Sequence, residues 1–148
     1  MNDSPPDTAT PAPLHLRLCA GLYDLLPLLG VWFVAGLLAL LVTGGALDPH
    51  RGGHKLVVQS LVSGLTAGYF VLSWARGGQT IGMRAWRLRV VGADGSRLPA
   101  ARALLRFLVA LLSLAALGAG FWWALIDAQK RTWHDMAAHS MMVRLEKR

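Results

Sequence analysis

Arg17 and Asp24 stand seven residues apart at the start of a long apolar run. At 3.6 residues per turn this spacing puts them nearly on one helix face, about 10 Å apart along the axis. An arginine at a membrane edge can snorkel to lipid phosphates. A carboxylate two turns deeper costs roughly 2.5–3.5 kcal/mol on insertion scales if it faces lipid at mid-depth. Asp24, followed by Leu25, Leu26 and Pro27, is therefore expected to face a bundle interior and to need a proton, a cation or a basic partner. Two chemistries fit: a site that handles a cation or proton, or a salt bridge to Arg17 that fixes helix register.

Near the other end, Asp127 closes an apolar run just after Trp122-Trp123, an aromatic pair suited to the headgroup boundary. Lys130-Arg131-Thr132-Trp133-His134-Asp135 then gathers a histidine and a second carboxylate. An unperturbed His134 titrates near neutral pH, which makes proton coupling chemically possible, while plain interfacial anchoring is the alternative. Asp48, His50 and His54 lie close in sequence, yet Pro49 and Gly52-Gly53 argue for a loop, and further Cys or His ligands are missing. His134 and His139 are five apart and share no helical face. No metal and no cofactor is expected. No nucleophile–base set, P-loop or dinucleotide fingerprint is visible, so no enzymatic activity is expected either.

These residues must be positioned by three uncharged apolar runs, residues 25–43, 56–75 and 107–126, of 19, 20 and 20 residues. A spanning helix needs roughly 20. Lipid cannot hydrogen-bond a peptide group, so such runs enter it as helices. The fold class expected is an all-α integral membrane protein: two transmembrane helices, a third spanning or re-entrant helical segment, and a short cytoplasmic strand-like hairpin. Residues 1–15 read as a disordered, Pro-rich tail without the basic start of a signal peptide. Residues 16–145 form the membrane domain, with apolar segments at about 18–43, 56–75 and 107–126. The net charge of +7 does not point to nucleic acid; basic residues flanking spans on the cytoplasmic side explain it. A single Cys19 excludes an internal disulfide and suits packing.

Orientation follows from charge. Residues 76–106 carry seven Arg and one acid, Asp94, and belong in the cytoplasm together with the N-terminus. Residues 44–55, with Arg51 and Lys55, then lie outside. If all three runs cross, basic residues number eight inside and seven outside, which is no bias; if the third returns, they number thirteen and two. Leu117-Gly118-Ala119-Gly120 offers the break such a return needs. Residues 85–91 (AWRLRVV) alternate apolar and basic side chains, and residues 141–145 (MMVRL) have a similar strand-like pattern. Pairing the two requires both on one side; an amphipathic surface segment is the other reading. Ser60, Gly64 and Gly68 form a small-residue stripe that allows close helix packing, within the chain or between copies.

Three separated motifs resemble the RDD family of small bacterial membrane proteins, named for one arginine and two aspartates. They are Arg17-Leu-Cys-Ala-Gly-Leu-Tyr-Asp24, then Gly78-Gln-Thr-Ile-Gly82-Met-Arg84 with Leu88-Arg-Val-Val91 and Asp94-Gly95, then Arg131-Thr-Trp-His-Asp135-Met-Ala-Ala. The resemblance covers about residues 16–143. It implies that Arg17 is the arginine, Asp24 the first aspartate and Asp135 the second, with Asp127 as the other candidate. Where the family tends to read Ala-Gly-Thr, this chain has Ala137-Ala138-His139-Ser140. The resemblance implies location in the bacterial inner membrane and a transport-related role, with cation/proton exchange proposed for some members. Three apolar elements are few to enclose a pathway, so the expected transporter is an oligomer. The competing class is a non-transporting accessory protein. Expected partners are the lipid bilayer, anionic headgroups at the Arg-rich segment, and a second copy or another membrane protein; nucleic acid is not among them.

Overall fold

The computed structural model describes residues 10–45, 47, 48, 50 and 52–145. The first nine residues of the expected tail, Arg51 of the loop, and Lys147 and Arg148 lie outside the described residues. Helix α1 (Leu14–Val42) and helix α2 (Gly52–Gly77) are long and apolar enough to cross a membrane. Pro13 sets the extended entry to α1, with φ −67° and ψ 150°. The inward residues Leu16, Ala20, Asp24 and Leu28 recur every four positions, and Ala35 and Ala39 continue the buried face. Outward leucines and Phe33 leave the opposite face apolar and open. The Trp32 indole N–H donates to the Thr66 hydroxyl at 3.0 Å, pinning the two helices together at mid-length. A Cβ added at Gly64 or Gly68 would meet nothing within 4 Å, so no close backbone approach inside the chain requires glycine at these two positions of the stripe.

After α2 come the short helix α3 (Ile81–Ala85) and a strand (Leu88–Gly92). The third apolar run is bent: helix α4 (Ala100–Ala115) gives way to α5 (Ala119–Trp122) and a 3-10 turn (Trp123–Leu125) at an angle of 107°. Leu117 and Gly118 take φ of 55° and 76° at the break, where the expected glycine motif begins. The chain then passes through α6 (Trp133–Ala137) into a last strand (Ser140–Arg144).

The protein is mostly helical with one small sheet. Its strands are β1 (Thr10–Pro11), β2 (Leu88–Gly92) and β3 (Ser140–Arg144), in the order β1-β3-β2 and antiparallel throughout. Strands β2 and β3 match the two strand-like patterns, in the register Val90 opposite Met142. They are distant in sequence, so they form a closing pair rather than a hairpin. Because β2 precedes α4 and β3 follows α6, the third run leaves the sheet and comes back to it. The structured chain also begins earlier than expected: Thr10 and Pro11 pair with β3, and Ala12, fully buried, donates its N–H to the Met142 carbonyl at 2.9 Å. Composition alone hid this strand, because its paired residues lie 134 and 132 residues away.

The buried apolar cluster sits at this sheet end. Ala12, Leu16, Ala20, Trp74, Met83, Leu88, Val90, Ala103, Phe107 and Met142 belong to it. Phe70 of α2 stacks on Phe107 of α4 with centroids 5.9 Å apart. The polar motif residues are set into this apolar surround.

Candidate functional site

Asp135 is fully buried in the first turn of α6, where its Oδ2 accepts the Thr132 N–H at 3.2 Å. Two guanidiniums converge on it. Arg17 Nη1 of α1 donates to Oδ2 at 2.7 Å, and Arg106 Nη1 of α4 donates to Oδ1. Arg106 also donates to the Ser140 hydroxyl at 2.9 Å, and Arg17 Nε donates to the Ala12 carbonyl at 3.0 Å. Through its two arginines, one carboxylate thus ties together Ala12, just after β1, with α1, α4, α6 and β3. Burial alone would raise the Asp135 carboxyl, but Arg106, with Arg17 and the Thr132 N–H, holds it well below the usual carboxylate range. With two cations on one anion, the cluster carries one excess positive charge.

Arg17 therefore does not snorkel to headgroups, and it forms no register salt bridge with Asp24. It is 8% exposed and committed to Asp135. A long-range carboxylate competes better than Asp24, because α6 delivers Asp135 to the arginine at hydrogen-bonding distance while Asp24 is taken by other donors.

Asp24 is 3% exposed and faces inward, as the cost of lipid exposure requires. Its Oδ1 accepts the Tyr69 hydroxyl at 2.7 Å and the Gly82 N–H at 2.8 Å; Oδ2 accepts the Thr80 hydroxyl at 2.6 Å. All three donors are neutral. Three acceptor positions of about four are used, which satisfies the charge by hydrogen bonds without an ion pair. Gly82 makes this approach possible: a Cβ there would lie 2.1 Å from the Ala20 carbonyl and 2.9 Å from Asp24. The carboxylate thereby clamps α3 onto α1.

Asp127 is not brought to either cluster. It pairs with Arg131 at 3.2 Å on the surface and accepts the Arg131 and Gln129 N–H groups, and the Arg131 bond lowers its carboxyl. His134 lies beside Asp135, with Nε2 2.8 Å from the Thr132 hydroxyl and its ring 4.9 Å from Phe121. Burial, then the Arg106 and Arg17 charges, push its imidazole down to about 3. That leaves it neutral at physiological pH, so the proton coupling open to an exposed His134 is not a property of this environment. In the loop, the Asp48 N–H donates to His54 Nδ1 at 3.1 Å. Among the described residues, no group of three or more His, Cys, Asp or Glu could hold a metal.

Sequence reasoning missed Arg106, counted only as one of seven arginines, and the donors Tyr69 and Thr80. Arg106 did leave a signal: it directly precedes an uncharged run of 20 residues.

A cavity of about 500 Å³ opens between α1, α2 and α4. Helix α2 packs against both others, which scarcely touch each other. Leu25, Leu28, Phe70, Phe107, Leu111 and Leu114 form its apolar walls; Arg17, Asp24, Trp74, Thr80, Arg106 and His134 also border it.

Two long apolar helices and a bent third run give this mostly helical chain two, or up to three, candidate membrane spans, with buried charge clusters at one end. The chain belongs to the RDD family, whose family model matches residues 11–139. No curated protein and no solved structure shows a significant match to it.

Proposed function

We propose that this RDD protein is a non-transporting accessory protein of the bacterial inner membrane, which acts by binding and not by moving ions or by catalysis. The observation that carries this reading is the state of its two motif aspartates. Asp135 is neutralised by two guanidiniums, and Asp24 already accepts three hydrogen bonds. Asp135 is already balanced by two cations and Asp24 has about one acceptor position left; both fasten segments distant in sequence into one module. The sheet end is cytoplasmic in this reading, because a returning third run leaves thirteen basic residues on that side and two on the other. The exposed Arg-rich segment then meets anionic headgroups, and the small-residue stripe on α2 serves contact with a second copy or another membrane protein.

One observation favours the alternative of cation/proton exchange: Asp24 borders the cavity with neutral donors only. Proteoliposomes separate the two. Sodium- and pH-gradient assays with purified protein are expected to match empty vesicles. Flux that disappears in a folded Asp24→Asn variant would overturn the accessory reading in favour of exchange.

A further inference from the structure

We propose that the cavity between α1, α2 and α4 binds one membrane phospholipid, with an acyl chain between the leucines and the phosphate at the arginine end. This deepens the accessory reading and rests on it. The cavity volume of about 500 Å³ falls in the range of ligand sites, roughly 300–1,000 Å³. Its walls are not a closed core: Leu25, Leu111 and Leu114 are 46%, 47% and 60% exposed, so the cavity opens sideways between α1 and α4. In a helical membrane protein that side is lipid, which makes a lipid chain the natural occupant.

The polar end selects the headgroup. Arg106 uses only Nη1 in hydrogen bonds, to Asp135 and Ser140, and its Nε is buried with no partner. Trp74 lies under it, with the guanidinium carbon 5.0 Å from the ring, and the indole N–H is also buried without a partner. Nδ1 of His134 is a third such atom. Arginine and tryptophan nitrogens only donate, so what satisfies them must accept. An unpartnered buried donor costs roughly 1–3 kcal/mol. Arg106 and Trp74 both border the cavity, so these donors belong to residues at its polar end. The excess positive charge of the Arg17–Asp135–Arg106 cluster sits at the same end and suits a phosphate. Asp24 borders the cavity too and offsets that charge elsewhere along the wall, so the attraction is local and matches a single phosphate rather than a multiply charged head.

The test is lipid retention. Protein in mild detergent, incubated with phosphatidylglycerol and oleate at equal concentration, is analysed by native mass spectrometry. About one phosphatidylglycerol per chain is expected. Ala110→Phe and Leu114→Trp, which fill the cavity, should lower occupancy about tenfold. Leu112→Phe, on an exposed face of the same helix that does not border the cavity, should retain the lipid. Leu114 is itself 60% exposed, so its replacement tests occupancy without requiring the core to repack. Trp74→Phe, which keeps the ring and removes one donor, should weaken retention of phosphatidylglycerol. The inference is overturned if wild-type protein holds no lipid, if the blocking variants hold as much as Leu112→Phe, or if oleate is retained in preference to phosphatidylglycerol. Ion flux decides the accessory reading and lipid retention decides this one, so the two failures are distinguishable.

Discussion

Replacing Asp135 by Asn removes one negative charge and almost no volume. Arg17 and Arg106 then face each other across a neutral amide, with side chains 5% and 1% exposed. Removing one partner of a buried ion pair costs about 3–5 kcal/mol, because the charge left behind has neither water nor a counter-ion. Here two charges are left. The expected loss is therefore at least the upper part of that range, against a total stability of about 5–15 kcal/mol for an ordinary domain. Arg17→Met should cost less, about 1.5–3 kcal/mol, since the Arg106–Asp135 pair survives and only the hydrogen bonds of Arg17 are lost. The triple change Arg17→Met, Arg106→Met, Asp135→Leu removes every buried charge of the cluster and should recover much of the loss. Equilibrium unfolding in mixed detergent–SDS micelles, followed by circular dichroism, measures all three. If Asp135→Asn proves milder than Arg17→Met, or costs less than about 1 kcal/mol, the cluster is not the fastening described here.

Acid should also weaken the fold, with a definite sign. His134 has a lowered folded-state pKa, so its contribution is fully present above its ordinary 6.5 and is lost as pH falls toward about 3. At about 1.36 kcal/mol per pH unit this amounts to about 3–5 kcal/mol, and His134→Gln should flatten thermal-unfolding midpoints measured between pH 7 and pH 4. Gly82→Ala should destabilise more than a typical surface change and free the α3 segment to protease, because the added Cβ would overlap the Ala20 carbonyl. His139 holds a left-handed φ of 47°, so His139→Gly should raise the unfolding midpoint by the equivalent of about 1 kcal/mol. In intact cells carrying Cys19→Ser, thiol labelling should place Ser96→Cys and Leu145→Cys on one side and Leu47→Cys on the other. Opposite labelling of positions 96 and 145 would contradict the β2–β3 pairing.

The long apolar helices were legible because their signal is local: an uncharged run of about 20 residues announces itself within one window. The two strand patterns were legible for the same reason; their pairing was one of two readings, and the charge count for a returning third run agreed with it. Partnerships were not legible. Arg17 and Asp24 share a helix face, so proximity in sequence suggested that they pair. In the folded chain Arg17 meets Asp135, which is 118 residues away, and Asp24 meets Tyr69, Thr80 and Gly82, between 45 and 58 residues away. A one-dimensional pattern reports which residues cannot face lipid. It does not report which of several polar groups reaches them first.

Arg106 shows the same limit from the other direction. Among seven arginines in one segment, six fit the positive-inside rule as surface charges, and composition cannot single out the seventh. Its distinction is positional: it stands one residue before an apolar run, so α4 buries it on the face that carries Ala103 and Phe107. There a buried carboxylate becomes obligatory, and α6 supplies Asp135. The arginine of the first helix and the aspartate of the last short helix are thus held by a residue that neither motif contains. A second arginine also changes what the pair can do. One arginine and one aspartate would be a neutral buried bridge, indifferent to anions. Two arginines on one aspartate leave a charge and unused donors beside an apolar cavity, and on that surplus the proposed phosphate site rests.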